Sequence, residues 1–154
     1  MQFTFKALDH TIFAPLYGLS DEALREKGVI PYIADGGGFP CRVSLEDAAV
    51  GDRVLLLNHI YLETHSPYRG RHAIFVRDGA TSTQLPPNEI PEMILKRPQS
   101  LRAFDRDDMM LEAMVAEGGQ VKDAIEELGR LKDVTYLHLH NAAYGCFMAR
   151  VEYG

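Results

Sequence analysis

Residues 38–77, GFPCRVSLEDAAVGDRVLLLNHIYLETHSPYRGRHAIFVR, decide the fold. Between Arg53 and Leu62 apolar residues occupy both parities: Val54, Leu56, Ile60 and Leu62 on one, Leu55, Leu57 and Tyr61 on the other. A strand with that pattern is covered on both faces and belongs at the centre of a sheet. Glu63 to Gly70, which contains Ser66-Pro67 and Gly70, turns the chain, and His72 to Arg77 returns as a second strand bounded by Asp78-Gly79. The stretch therefore reads as a long antiparallel hairpin with an elaborated tip. It also carries three of the six histidines, one of the two cysteines and five arginines, so it is where candidate chemistry is densest.

Toward the N-terminus, Phe3 and Phe5 alternate with Gln2, Thr4 and Lys6, the period of a half-buried strand. Ser20 before Asp21-Glu22, with Gly28 after Arg25 and Lys27, predicts a short capped helix over 21–27. Val29 to Ala34 is extended. Asp35 to Pro40, DGGGFP, is a connecting loop, since it lacks the lysine and hydroxyl of a phosphate loop and no helix clearly follows. Cys41 to Val43 resumes strand character, and Ser44 caps a single turn.

Toward the C-terminus, four prolines between Thr81 and Pro98 leave room for one short helix near Glu92–Lys96. Ser100 to Asp105 and Met110 to Ala116 read as two strands around an Asp105–Asp108 turn, with a helix over Leu111–Glu117 as the alternative. Gly119 to Lys132 is the clearest helix, with Val121, Ala124, Ile125, Leu128 and Leu131 at helical spacing. Val134 to His140 and Cys146 to Tyr153 form a second hairpin around Asn141–Gly145. The sum is an α+β fold: a single domain over 1–154, with a mostly antiparallel sheet of six to eight strands and two or three helices.

A chain of 154 residues, 46% apolar and 25% charged, buries enough surface to fold without a disulfide or structural metal. The N-terminal segment lacks a basic region followed by an apolar core, and no stretch is long enough to span a bilayer, so the expectation is a cytoplasmic protein with reduced cysteines and no membrane partner. A net charge of −6 opposes nucleic-acid binding, which needs a dense basic face.

Tyr136, His138 and His140 share one parity, and the two histidines would lie ~6.5–7 Å apart along one side of a strand. That spacing suits two ligands of one metal ion, with His59 as a third, although no carboxylate accompanies them. Cys41 beside Arg42 invites a thiolate nucleophile, except that neighbouring strand residues point to opposite faces. The tip gathers donors in Ser66, Tyr68, Arg69, Arg71 and two histidines, suited to a carboxylate or phosphate. Asp105, Asp107 and Asp108 lack the downstream glutamate of a calcium loop and read as a solvated turn.

Four blocks, GFPCRVSLEDAAVGDRVLLLNH, SPYRGRHAIFVRDGA, SLRAFDRDDMMLEAMVAEG and VTYLHLHNAAYGCFMARVE, give the chain its resemblance to the bacterial family known as domain of unknown function 1203. The resemblance implies a small, single-domain, cytoplasmic protein and brings no established activity. It singles out Pro40-Cys41-Arg42, Ser66 to Arg69, Arg102 to Asp105, and His140-Asn141-Ala142 followed by Gly145-Cys146. The chain departs from the family pattern at Ala143-Tyr144, where basic character is expected, and at Ala73, where proline is usual.

Three functional expectations follow. In the first, Arg42, Arg69 and Arg102 hold a small anionic molecule while Ser66, Tyr68, His140, Asn141 and Cys146 line the site. Were it an enzyme, His140 would be the general acid or base and Cys41 or Cys146 the thiol nucleophile; no cofactor is specified. The same arginines could instead be internal braces paired with Asp105, Glu46 or Glu63. In the second, the protein is a non-catalytic interaction or structural protein, a homodimer joined through a sheet edge or the apolar side of a hairpin. In the third, His138 and His140 bind a metal.

Overall fold

The hairpin of residues 53–77 is the middle and one edge of a small sheet, and a larger sheet is built from the two ends of the chain. The computed structural model describes residues 1–154. In chain order the elements are β1 (Phe3–Lys6), α1 (Asp21–Glu26), β2 (Ile30–Ile33), β3 (Arg53–Leu62), β4 (Gly70–Arg77), α2 (Glu92–Leu95), β5 (Gln99–Phe104), β6 (Met110–Ala116), α3 (Val121–Leu128), β7 (Tyr136–Asn141) and β8 (Phe147–Tyr153). Three short 3-10 turns accompany them. The five-stranded sheet runs β1-β8-β7-β5-β6 and the three-stranded sheet β2-β3-β4, with every strand pair antiparallel. No helix is long and apolar enough to cross a membrane.

Local sequence explains most boundaries. The Ser20 hydroxyl accepts from the Ala23 amide, Asp21 and Glu22 fill the first turn of α1, and Gly28 follows in the left-handed conformation at φ +75°. In α3, Val121, Ala124, Ile125 and Leu128 are buried as the spacing predicts. The helix is shorter than its apolar pattern, because Gly118–Gln120 forms a 3-10 turn and no side chain caps the α-helical start. Cys41–Val43 is not a strand: it makes only isolated bridges from Pro40 to Asp47 and from Cys41 to Phe75.

One face of the large sheet packs against α2 and α3 in a core that includes Phe3, Phe5, Leu101, Leu137, Leu139, Val151, Met93, Ile94 and Ile125. A second core joins the small sheet to β8 through Leu55, Leu57, Ile74, Val76 and Phe147. A bulge makes that junction. The register passes from Leu139↔Ala149 directly to His140↔Phe147, so Met148 is the extra residue. Met148 and Ala149 both join the helix-side core, while Phe147 turns to the small sheet. The strand buried along its whole length is β7, with all six residues buried, whereas β3 leaves Asn58 and Ile60 exposed. Splitting the strands into two sheets makes β3 the middle of the smaller one, and its outer half runs past the cover.

Candidate functional site

At the seam between the sheets, a cleft of about 450 Å³ is bounded by the loop at 38–42, by β4 at 72–75 and by the β7–β8 turn. Phe39, Leu56, Phe75 and Tyr144 give it an apolar wall, and Arg42, His72, Arg97, Asn141 and Cys146 supply its polar groups. Three of these, Arg42, Asn141 and Cys146, are among the residues singled out by the sequence. The other large clefts lie elsewhere, one between acidic residues such as Glu46, Glu89 and Glu92, the others along polar loops.

Arg42 is the unusual member. It is only 1% exposed, yet no carboxylate meets it. Its Nε donates to the Phe147 carbonyl at 2.8 Å, Nη1 to the Pro40 carbonyl at 2.5 Å, and Nη2 to Cys146 Sγ at 3.1 Å. These use three of the five guanidinium N–H groups. Burial pulls its pKa below the ordinary arginine range, partly offset by attraction from Cys146. Arginine nonetheless stays a cation in proteins, so a positive charge sits at the base of the cleft without a counter-charge. Arg97, by contrast, is matched: it donates to both oxygens of Asp47, at 2.5 and 3.3 Å, and to the Met93 carbonyl at 2.7 Å.

The β7–β8 turn is built by Asn141. Its Oδ1 accepts from the amides of Ala143 and Tyr144 at 2.9 and 3.0 Å, and Gly145 takes φ +81°. That leaves the Asn141 side-chain nitrogen free to donate. The turn holds Tyr144 out at 82% exposed, beside the cleft mouth. His72 Nδ1 donates to the Ala73 carbonyl at 3.0 Å, which leaves Nε2 as the acceptor nitrogen.

The remaining sequence candidates are dispersed. Cys41 is fully buried, its sulfur accepting from the amides of Ser44 and Arg77 at 3.4 and 3.3 Å, and it does not line the cleft. Ser66, Tyr68 and Arg69 lie at the far tip of the β3–β4 hairpin. Ser66 Oγ donates to the Asp108 carbonyl at 2.7 Å, Tyr68 packs edge-on against Phe104, and the exposed Arg69 lies 3.6 Å from Glu63. Of the three arginines expected to hold an anion or form internal braces, only Arg69 meets a carboxylate. Arg102 meets the Ser100 hydroxyl at 3.3 Å and stands opposite His138 in the sheet register.

His138 and His140 share one face of β7, as their parity predicts, with ring centroids 6.3 Å apart. They are packed by Tyr61, Phe104, Tyr136 and Phe147. His140 Nδ1 donates to the Gly145 carbonyl at 2.9 Å, so His140 supports the turn from behind; His138 Nδ1 and His140 Nε2 are buried without partners. Burial is the main cause that pushes His138 down to about 3 and His140 down to about 4, so both are neutral near pH 7. Arg102 and Arg150 flank His138 in register. Two cations beside the pair oppose a metal ion, His59 lies apart against Phe13, and nowhere are three His, Cys, Asp or Glu residues grouped to hold one.

Sequence reasoning missed Arg97, which reads as an ordinary basic residue after α2, and gave His72 to the hairpin tip. Neither had a local signal, since their roles arise where β4, α2 and the last turn converge.

The fold and cleft define an α+β protein of two antiparallel sheets with a cation buried at their seam. The chain belongs to the family described as protein of unknown function (DUF1203), whose family model matches residues 38–153. Every cleft residue lies inside that span, and β1, α1 and β2 lie outside it. No curated protein and no solved structure matches the chain.

Proposed function

We propose that the seam cleft binds a small amphipathic anion, with a carboxylate or phosphate head toward Arg42 and an apolar body against Phe39, Leu56, Phe75 and Tyr144. The carrying observation is the buried Arg42 guanidinium, which has carbonyls and a thiol around it and no carboxylate. A buried charge left unpaired is costly, and a bound anion supplies the charge that the chain omits. Asn141 Nδ2, left free by the turn, adds a hydrogen-bond donor at the same wall. In this assignment Cys146 lines the site and His140 braces it from behind, while Ser66, Tyr68, Arg69, Arg102 and Cys41 stay outside. Two free cysteines fit the cytoplasmic location expected from the sequence.

The test uses benzoate and inorganic phosphate as probes of the native chain, followed by amide NMR. Benzoate should shift the resonances of Phe39, Phe75, Asn141 and Tyr144 together, and Arg42→Met should abolish the effect. Binding that survives Arg42→Met, or shifts confined to the hairpin tip, would remove the basis of the proposal. Native mass spectrometry of protein purified without added ligand asks the same question of a retained molecule.

A second reading, a homodimer, is supported by β6. This edge strand exposes Leu111 and Val115, and the Ala113 amide is occupied only by the neighbouring Glu112 side chain. An antiparallel pairing of two copies centred on Ala113 sets Leu111 opposite Val115 and Glu112 opposite Met114, with no like charges opposed.

A further inference from the structure

We propose that Cys146 is a modification site at which a hydroperoxide oxidises the thiol to a sulfenic acid held against Arg42. The two cysteines have opposite surroundings. Cys41 is sealed in the core with its sulfur taken up by two backbone amides. Cys146 is half-buried, lines the cleft, and its sulfur accepts from Arg42 Nη2 at 3.1 Å. The turn holds the Cys146 backbone, because the Asn141 amide donates to the Cys146 carbonyl at 2.8 Å and the Gly145 amide donates to the Asn141 carbonyl at 2.8 Å. The independent observation is Arg42, nine-tenths buried and more, with no carboxylate and its Nη2 on the thiol. A cation so placed is positioned to stabilise the negative charge of an oxygen attached to the sulfur. His72 Nε2 stands near the same turn: a Cβ built on Gly145 would lie 4.0 Å from it.

In the step, sulfur attacks one oxygen of R–O–O–H. The S–O bond forms as the O–O bond breaks, and the departing oxygen takes up the thiol proton and leaves as an alcohol, or as water when the oxidant is hydrogen peroxide. Sulfur is oxidised by two electrons and the peroxide reduced by two. Arg42 faces the charge that passes from sulfur to the leaving oxygen. The modification rests on the thiol–guanidinium contact, and it holds whether or not the cleft also takes a carboxylate.

The test treats the full chain with one equivalent of hydrogen peroxide, traps sulfenic acid with dimedone, and maps the adduct by peptide mass. The native chain should be labelled at Cys146 and not at Cys41, at a rate at least about tenfold above that of Cys146 in the same chain unfolded in urea at the same pH. Arg42→Met should bring the native rate down to the unfolded one. A native rate equal to or below the unfolded rate, or labelling at Cys41, overturns the proposal. The comparison of native with unfolded wild type decides the matter even if the Arg42 variant does not fold.

Discussion

His138 and His140 show how a single residue type couples this core to pH. In the unfolded chain their imidazoles bind protons below about pH 6.5, whereas in the folded chain burial holds them neutral down to about 3 and about 4. Between those limits the unfolded state carries the extra protons, so stability is full above the unfolded value and falls as pH falls. Each histidine costs about 1.4 kcal/mol per pH unit, or about 4 kcal/mol for the pair at about pH 5. His59, also pushed down by burial, adds a contribution of the same sign. Urea midpoints should therefore drop steeply between about pH 7 and 5, and His138→Phe should remove a large part of the slope; a flat profile would contradict neutral burial of the pair. Arg42 carries the opposite charge logic. It is retained as a cation where a hydrophobic residue of similar size would be cheaper to bury.

The clearest lesson among the elements is the β3–β4 hairpin tip. Its sequence is rich in donors and reads as a binding loop, but its contacts are to protein. Ser66 Oγ donates to the Asp108 carbonyl and accepts from the Tyr68 amide, and the Tyr136 hydroxyl donates to Asp108 Oδ1 at 2.6 Å. The small sheet is thus clamped to the β5–β6 turn, where Asp108 adopts φ +59°. Ser66→Ala should cost about 1–2 kcal/mol in chemical denaturation and leave benzoate binding intact. A change in binding without a change in stability would instead return the tip to the site. Strand periods made β3, β4, β7, β8 and the β5–β6 pair legible, and helical spacing did the same for α3. The division into two sheets was not legible, because it depends on which edge each hairpin meets. Nor was the bulge at Met148, which has no glycine or proline to mark it.

For the whole molecule, part of the cleft could be foreseen: Arg42 and Asn141 were expected to meet, and the resemblance drew attention to Cys146. Their meeting with Arg97 and His72 depends on packing across the seam, which no local period encodes. The self-complementary β6 edge gives a prediction at this scale. Sedimentation of the native chain should show a dimer, and Val115→Lys, a charge placed in an apolar pairing at a position 72% exposed, should return it to monomer. A monomer at all concentrations would leave the ligand cleft as the sole functional reading.

The hydrogen bonds from Arg42 span 104 and 105 positions of sequence, to Cys146 and Phe147. Contacts of that separation close late, since each sheet can gain local pairing before the loop entropy between them is spent. An intermediate with either sheet alone would have hairpins and helices but no cleft. On the proposed reading, recovery of anion binding during refolding would therefore time the docking of one sheet on the other, so that a single guanidinium reports when the seam closes.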